Sequence, residues 1–316
     1  MIVLVSGAGG LIGRALAAHL RDDGHRVVRL VRPGSRPATG NGPAGRDGPG
    51  GPVDTVRWDP AAGTVDRAAL DRAGPFDAVV HLAGAGIGDR RWTAARRREL
   101  WDSRVSSTRL LAATVRGLDP VPRVLVSASA VGWYGDRGDE VLTEDAGPGR
   151  GFLADLCQAW EREAEAAAGS MRVVRLRSGV VLSGDGGALG RQLPLFRLGL
   201  GGRLGSGRQY VSWISLADHL GVVRAAIDDD RLAGPVNATA PRPVTNAELT
   251  RALGRALHRP AVLAVPGPVL SVALGGDLAR EMVLAGQRAV PDRLAAVGHR
   301  FTHPDVDSAL AAAVGR

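Results

Sequence analysis

Near its start the chain carries Gly7-Ala-Gly-Gly-Leu-Ile-Gly13, set between a β-branched run and an amphipathic stretch. Glycines at this spacing let a backbone bend sharply, approach a pyrophosphate with no Cβ in the way, and pack a helix closely on the preceding strand. Gly7, Gly10 and Gly13 fit those roles, and Leu11 and Ile12 stand where a helix N-terminus would turn free N–H groups toward phosphates. A plain strand-to-helix turn is the alternative. The position of the turn between strand and helix, and a second β-branched run after Gly24, argue for the dinucleotide. At the end of that second run an acidic residue would bond the ribose hydroxyls of NAD, but the chain has Val31-Arg32. A guanidinium there suits the 2′-phosphate of NADP, with a solvated surface arginine as the alternative.

His81-Leu-Ala-Gly84 ends a third β-branched run, and the small groups at Leu82, Ala83 and Gly84 would let a cofactor lie close to the strand end. The helical stretch that follows carries Glu99 and Arg104. Each reads either as an exposed helix charge or as a cofactor contact, and Arg104 is the better placed if the helix runs beside the nicotinamide half. Val126-Ser-Ala-Ser-Ala-Val-Gly-Trp-Tyr-Gly135 brings two hydroxyls, Ser127 and Ser129, to the edge where ligands bind. Ser129 could bond a substrate carbonyl, and Tyr134 could move a proton if a nearby cation lowered its pKa. Ser127 reads as a structural hydroxyl beside the cofactor. Cys157, flanked by Leu153, Leu156 and Trp160 at helical spacing, reads as a packing residue.

These groups need a scaffold that gathers strand ends along one edge. Strands are expected at 2–6, 26–31, 78–82, 123–127 and 172–181, with helices over 11–22, 94–116 and 152–168 between them. That alternation predicts a doubly wound α/β fold with a parallel sheet. The segment from Pro33 to Pro52 has 12 Gly or Pro among 20 residues, which predicts a mobile surface loop. Past Ser183 the pattern loosens, with helices expected at 247–257 and 279–285. At 316 residues and 45% apolar content the chain can bury a full core. No apolar run reaches membrane-spanning length, and Met1 leads straight into a strand, so a soluble, cytoplasmic protein without a membrane partner is expected. A single cysteine excludes an internal disulfide and a cysteine metal cluster. The net charge of +8 is carried by arginine alone, since the chain has no lysine, and it is interleaved with 32 acidic residues; a nucleic-acid partner is not expected. Oligomeric state is not readable.

Taken together, Gly7-x-x-Gly10-x-x-Gly13, Val80-His-Leu-Ala-Gly84, Ser127-Ala-Ser129, Tyr134-Gly135 and 205–218 resemble the extended branch of the short-chain dehydrogenase/reductase superfamily. Arg91-Trp92, Ser103-Arg104, 177–182 and Gly286-Gln-Arg-Ala-Val-Pro291 narrow the resemblance to its NADP-binding, sugar-nucleotide-epimerase-like family with a small C-terminal domain. The resemblance implies a Rossmann domain over 1–182, substrate-side loops and helices over 183–262 and a C-terminal domain over 263–316. It implies NADP held by the glycine turn, Arg32, Leu82, Ala83, Glu99 and Arg104. Where the superfamily carries the Tyr and Lys of Tyr-x-x-x-Lys, Leu153 and Cys157 align, while Ser129 matches the catalytic serine. The resemblance implies less about chemistry; the residues themselves favour an NADP(H)-dependent oxidoreductase or epimerase-like enzyme on a small polar substrate held near Ser129, with Tyr134 as acid/base. The alternative is an NADP(H)-binding protein whose catalysis is lost and whose role is regulatory or structural.

Overall fold

The computed structural model describes residues 1–34 and 55–315; most of the Gly/Pro segment, and with it the loop expectation, lies outside the described residues. The first eight strands in chain order are β1 Ile2–Ser6, β2 Arg26–Val31, β3 Thr55–Asp59, β4 Thr64–Val65, β5 Ala78–His81, β6 Val124–Ala130, β7 Val141–Leu142 and β8 Arg172–Ser178. The first eight α-helices are α1 Leu11–Asp22, α2 Arg67–Ala73, α3 Ala94–Arg116, α4 Phe152–Glu165, α5 Gly187–Arg197, α6 Leu216–Asp228, α7 Asn246–Leu257 and α8 Gly267–Leu274. The main sheet runs Gly234–Ala238, β8, β6, β5, β1, β2, β3, β4, and every pairing except β3 with β4 is parallel.

Strand order reverses at β1, which lies between β5 and β2, so a crevice opens beyond the carboxyl ends of β1 and β5. Alternation along β1 assigns its side chains to two cores. Val3 and Val5 pack with Leu16, Leu20, Val223 and Ile227 of α1 and α6. Leu4 packs on the other face with Leu70, Leu111 and Val115 of α2 and α3. Each such side chain contributes roughly 1.5–3 kcal/mol by leaving water, so the sheet is anchored from both faces and its strand ends are fixed in space.

Several elements differ from expectation. β6 extends past Ser127 to Ala130, and α4 stops at Glu165. The single strand expected over 172–181 breaks at Gly179, where a Cβ would lie 2.5 Å from the Ser212 carbonyl oxygen; beyond it Val180–Leu182 pairs with Trp213–Ser215 instead. The helix expected over 279–285 is a π turn, Ala279–Val283, closed by the Leu284 N–H bonding Ala279 O at 2.9 Å. α2, α6 and Gly234–Ala238 were not foreseen. A third core of Leu182, Leu193, Trp213, Leu253 and Leu310 joins α5 and α7 to the last helix, Val306–Ala313. β7 pairs with Arg288–Ala289, which brings the C-terminal segment against the loops after β6. No helix among the described residues is long and apolar enough to cross a membrane.

Candidate functional site

The glycine turn is built from close approaches that only glycine allows. Gly7 has φ +72°, and a Cβ there would lie 2.6 Å from the Leu82 carbonyl carbon; a Cβ on Gly13 would lie 2.2 Å from Gly7 O. Gly9 faces open space. Gly10 caps α1 without any side-chain bond, so the N–H groups of Leu11, Ile12 and Gly13 have no partner among the described residues. That is an anion cradle at a helix N-terminus, lying on the switch-point crevice. Leu82, Ala83 and Gly84 form the facing wall, with the Leu82 N–H bonded to Ser6 O at 3.2 Å. His81 pins the wall from behind, between Ser6 Oγ at 2.5 Å and Thr108 Oγ1 at 2.8 Å. Burial drops its pKa to about 3, so it is a neutral structural group.

Arg104 reaches this wall from α3. Its guanidinium carbon would stand 3.2 Å from a Cβ on Gly84, its Nη2 donates to Ala85 O at 2.9 Å, and it lies 5.1 Å from the Trp160 ring centre. Burial lowers its pKa to about 10, which leaves it charged at neutral pH, and its buried Nε has no partner among the described residues. Arg32 follows β2, exposed and without a side-chain partner among the described residues. Glu99 is bound by Arg96 at 2.7 Å and Arg90 at 3.4 Å, not by groups of the glycine turn, and the Arg96 bond holds its carboxyl below the usual range. Ser127 is buried within β6 and its hydroxyl makes only a 3.4 Å contact to Ala128 O. The cradle, its free amides and the orphaned Arg104 Nε fit a dinucleotide.

Beyond β6 the expected catalytic groups are engaged elsewhere. Ser129 Oγ donates to Glu161 Oε1 at 2.7 Å, which uses its one proton. Glu161 is 2% exposed and is gripped by Arg177 through Nε at 2.9 Å and Nη2 at 3.0 Å. Arg177 stacks 4.0 Å from the Trp133 ring centre and donates to the Tyr134 hydroxyl at 3.1 Å. Tyr134 is fully buried; its hydroxyl faces Asn237 Oδ1 at 2.8 Å and Thr143 O at 3.1 Å. Burial raises the phenol pKa despite Arg177. The cation expected beside Tyr134 is present, but desolvation outweighs it, and the side chain is 0% exposed. Ser129 likewise has no proton left to offer a carbonyl in this arrangement.

The open space lies next to that network. A cavity of about 300 Å³ is lined by Gly132, Arg150, Gly151, Leu153, Glu281 and Gln287, among others. Leu153 Cβ would be 3.5 Å, and Cys157 Sγ 3.8 Å, from a Cβ on Gly132. Both positions that align with the Tyr-x-x-x-Lys pair thus sit along one face of α4 against the loop after β6. Burial pushes the Cys157 thiol up to about 12, in line with a packing residue. Glu281, on the π turn, reaches the first turn of α4 and accepts the Leu153 N–H through Oε2 at 2.9 Å. Asp136 Oδ1, also at the cavity, is held by the N–H groups of Gly286 at 2.9 Å and Gly138 at 3.3 Å. Sequence reasoning missed Glu281, Glu161 and Arg177. No local pattern ties Glu281 to a helix that begins 129 positions earlier; only the separate C-terminal segment hinted that something covers the site.

Comparison with known proteins agrees with this architecture. Residues 3–237 match the model of the NAD dependent epimerase/dehydratase family, and residues 265–313 match a domain of unknown function, DUF1731. An epimerase family protein of Mycobacterium tuberculosis is 45% identical over 100% of this chain and 98% of its own length. The Homo sapiens epimerase family protein SDR39U1 is 35% identical, covering 98% of each. The crystal structure of human SDR39U1 with NADPH superposes with a TM-score of 0.87 at 34% identity over 100% of both chains. A nucleoside-diphosphate sugar epimerase from Corynebacterium glutamicum gives 0.75 at 35% identity, covering 100% of this chain and 58% of that one. With its Rossmann-type sheet, glycine cradle and C-terminal domain, the chain belongs to the NAD dependent epimerase/dehydratase family.

Proposed function

We propose that this protein is an NADP(H)-dependent oxidoreductase or epimerase-like enzyme that acts on a small polar substrate in the cavity between β6, α4 and residues 263–316. The observation that carries the reading is the glycine cradle, whose unclaimed helix amides face the crevice beside that cavity. The human relative crystallised with NADPH supports NADP over other nucleotides. In this reading the Leu11, Ile12 and Gly13 amides hold the pyrophosphate, Arg32 pairs with the 2′-phosphate, and Arg104 orients the half of the cofactor that lies over Gly84. Leu153 and Gly132 supply a dry wall next to the reacting carbon. NADP(H), when bound, supplies hydride transfer. A second reading, cofactor binding without catalysis, is favoured by one observation: the hydroxyls of Ser129 and Tyr134 are both committed inside the fold.

Calorimetric titration with NADPH and NADH tests the first step. A charge-assisted pair at Arg32 should favour NADPH by about ten- to a hundredfold, and Arg32→Ala should erase the preference while leaving NADH affinity unchanged. Equal affinities in the wild type would remove Arg32 from the site. Turnover across a panel of carbonyls and sugar nucleotides separates the two readings, since NADPH that binds without being consumed favours the second.

A further inference from the structure

We propose that Glu281 is the acid/base that exchanges a proton with the substrate oxygen, in the place where the superfamily resemblance puts a tyrosine. The inference rests on the oxidoreductase reading above and names the group that reading lacks. Three independent features point to it. Glu281 lines the cavity, beside Leu153, the residue that stands at the tyrosine position. Its Oε2 is fixed by the Leu153 N–H at 2.9 Å, which sets the plane of the carboxyl, while Oε1 has no partner among the described residues. It is carried by a π turn, a rare element that is found frequently at functional sites.

The proton balance is direct. In the reducing direction the carbonyl carbon gains a hydride from the reduced nicotinamide dinucleotide, the C=O π pair moves onto oxygen, and that oxygen takes the proton from Oε1, leaving Glu281 a carboxylate. In the oxidising direction the carboxylate takes the hydroxyl proton as the carbon gives up its hydride. The charged groups around Glu281 are Arg150 and Asp136 on the Rossmann side, Arg280 on its own turn, and Asp277 just before it. Asp277 is bound by Arg280 and by Arg97 of α3, and Asp136 holds two backbone N–H groups, so both of those carboxylates are already occupied.

The test compares wild type with Glu281→Gln, which keeps an oxygen for the Leu153 N–H but cannot carry the proton. The probes are a series of short aldehydes and an ortho-quinone; the reduced quinone oxygen is acidic enough to be released without an enzymatic acid. NADPH affinity by fluorescence and melting temperature should be unchanged, aldehyde reduction should fall by about a hundredfold or more, and quinone reduction should persist. Glu281→Asp should restore part of the aldehyde rate. In carbon-13 glutamate spectra the resonance missing from Glu281→Gln should titrate over the same pH range as the limb of the wild-type aldehyde rate. A Glu281→Gln protein that reduces aldehydes at the wild-type rate, or loses both probes equally, overturns the assignment while leaving the oxidoreductase reading intact. A wild type inert toward every probe overturns that reading, and this assignment with it.

Discussion

Replacing Tyr134 with phenylalanine separates the role the sequence suggests for this residue from the one the structure gives it. The phenol has one proton and two acceptors to choose between, Asn237 Oδ1 and Thr143 O, and it accepts from Arg177 Nη1. Without the oxygen, Asn237 Oδ1 loses its donor in a residue that is 0% exposed. The Asn237 amide cannot turn to compensate, because its Nδ2 is held by Val290 O at 2.9 Å and Leu142 O at 3.3 Å. Arg177 keeps Glu161 and Glu144 O. One buried acceptor left bare and one charge-assisted bond lost should together cost about 2–3 kcal/mol. With an unfolding entropy of about 2.1 cal/mol/K per residue, a chain of this length should melt roughly 3–5 °C lower. NADPH affinity and any turnover should stay within a few-fold of wild type, where removal of a true acid/base would cost about a hundredfold or more. Scanning calorimetry, cofactor titration and rate assays on the same preparation decide the matter. An unchanged melting temperature with a collapsed rate would refute the structural assignment.

Gly13→Ala should abolish NADPH binding and lower the melting point, because its Cβ would meet the Gly7 carbonyl oxygen at 2.2 Å, whereas Gly9→Ala faces open space and should retain both; parallel calorimetry of the two variants checks this. Stability should fall in acid. His81 and His219 have folded pKa values of about 3 and about 4, below the ordinary 6.5, so the unfolded chain binds more protons between those limits. Their contribution is complete above pH 6.5 and is lost as pH falls, at up to about 1.4 kcal/mol per pH unit for each histidine once it is protonated in the unfolded state. Denaturant melts at a series of pH values should show that slope, and a profile flat from pH 7 to pH 5 would contradict it.

Much of the scaffold was legible in the sequence for identifiable reasons. β1, β2, α1 and α3 have the expected limits because β1 and β2 are compact apolar runs, α1 is clearly amphipathic, and glycine or a capping residue punctuates the helices, with Thr93 and Gly117 bounding α3. The glycine turn was legible because its steric demands fall on consecutive residues. The fate of Ser129 and Tyr134 was not. Their surroundings come from Glu161, Arg177 and Asn237, which lie 32 or more positions away, and whether a nearby cation or desolvation governs a phenol is settled only by packing in three dimensions. Gly179 shows the same limit on a smaller scale: the β-branched run continues through it, but Ser212 of a distant segment forces the strand to change partners.

The most direct test of the account is a crystal structure of the protein with NADPH bound. The account predicts the pyrophosphate on the Leu11, Ile12 and Gly13 amides, the 2′-phosphate beside Arg32, and the nicotinamide opening toward the cavity lined by Gly132, Leu153 and Glu281. A nicotinamide turned away from that cavity, or a pyrophosphate bound away from the glycine turn, would contradict it.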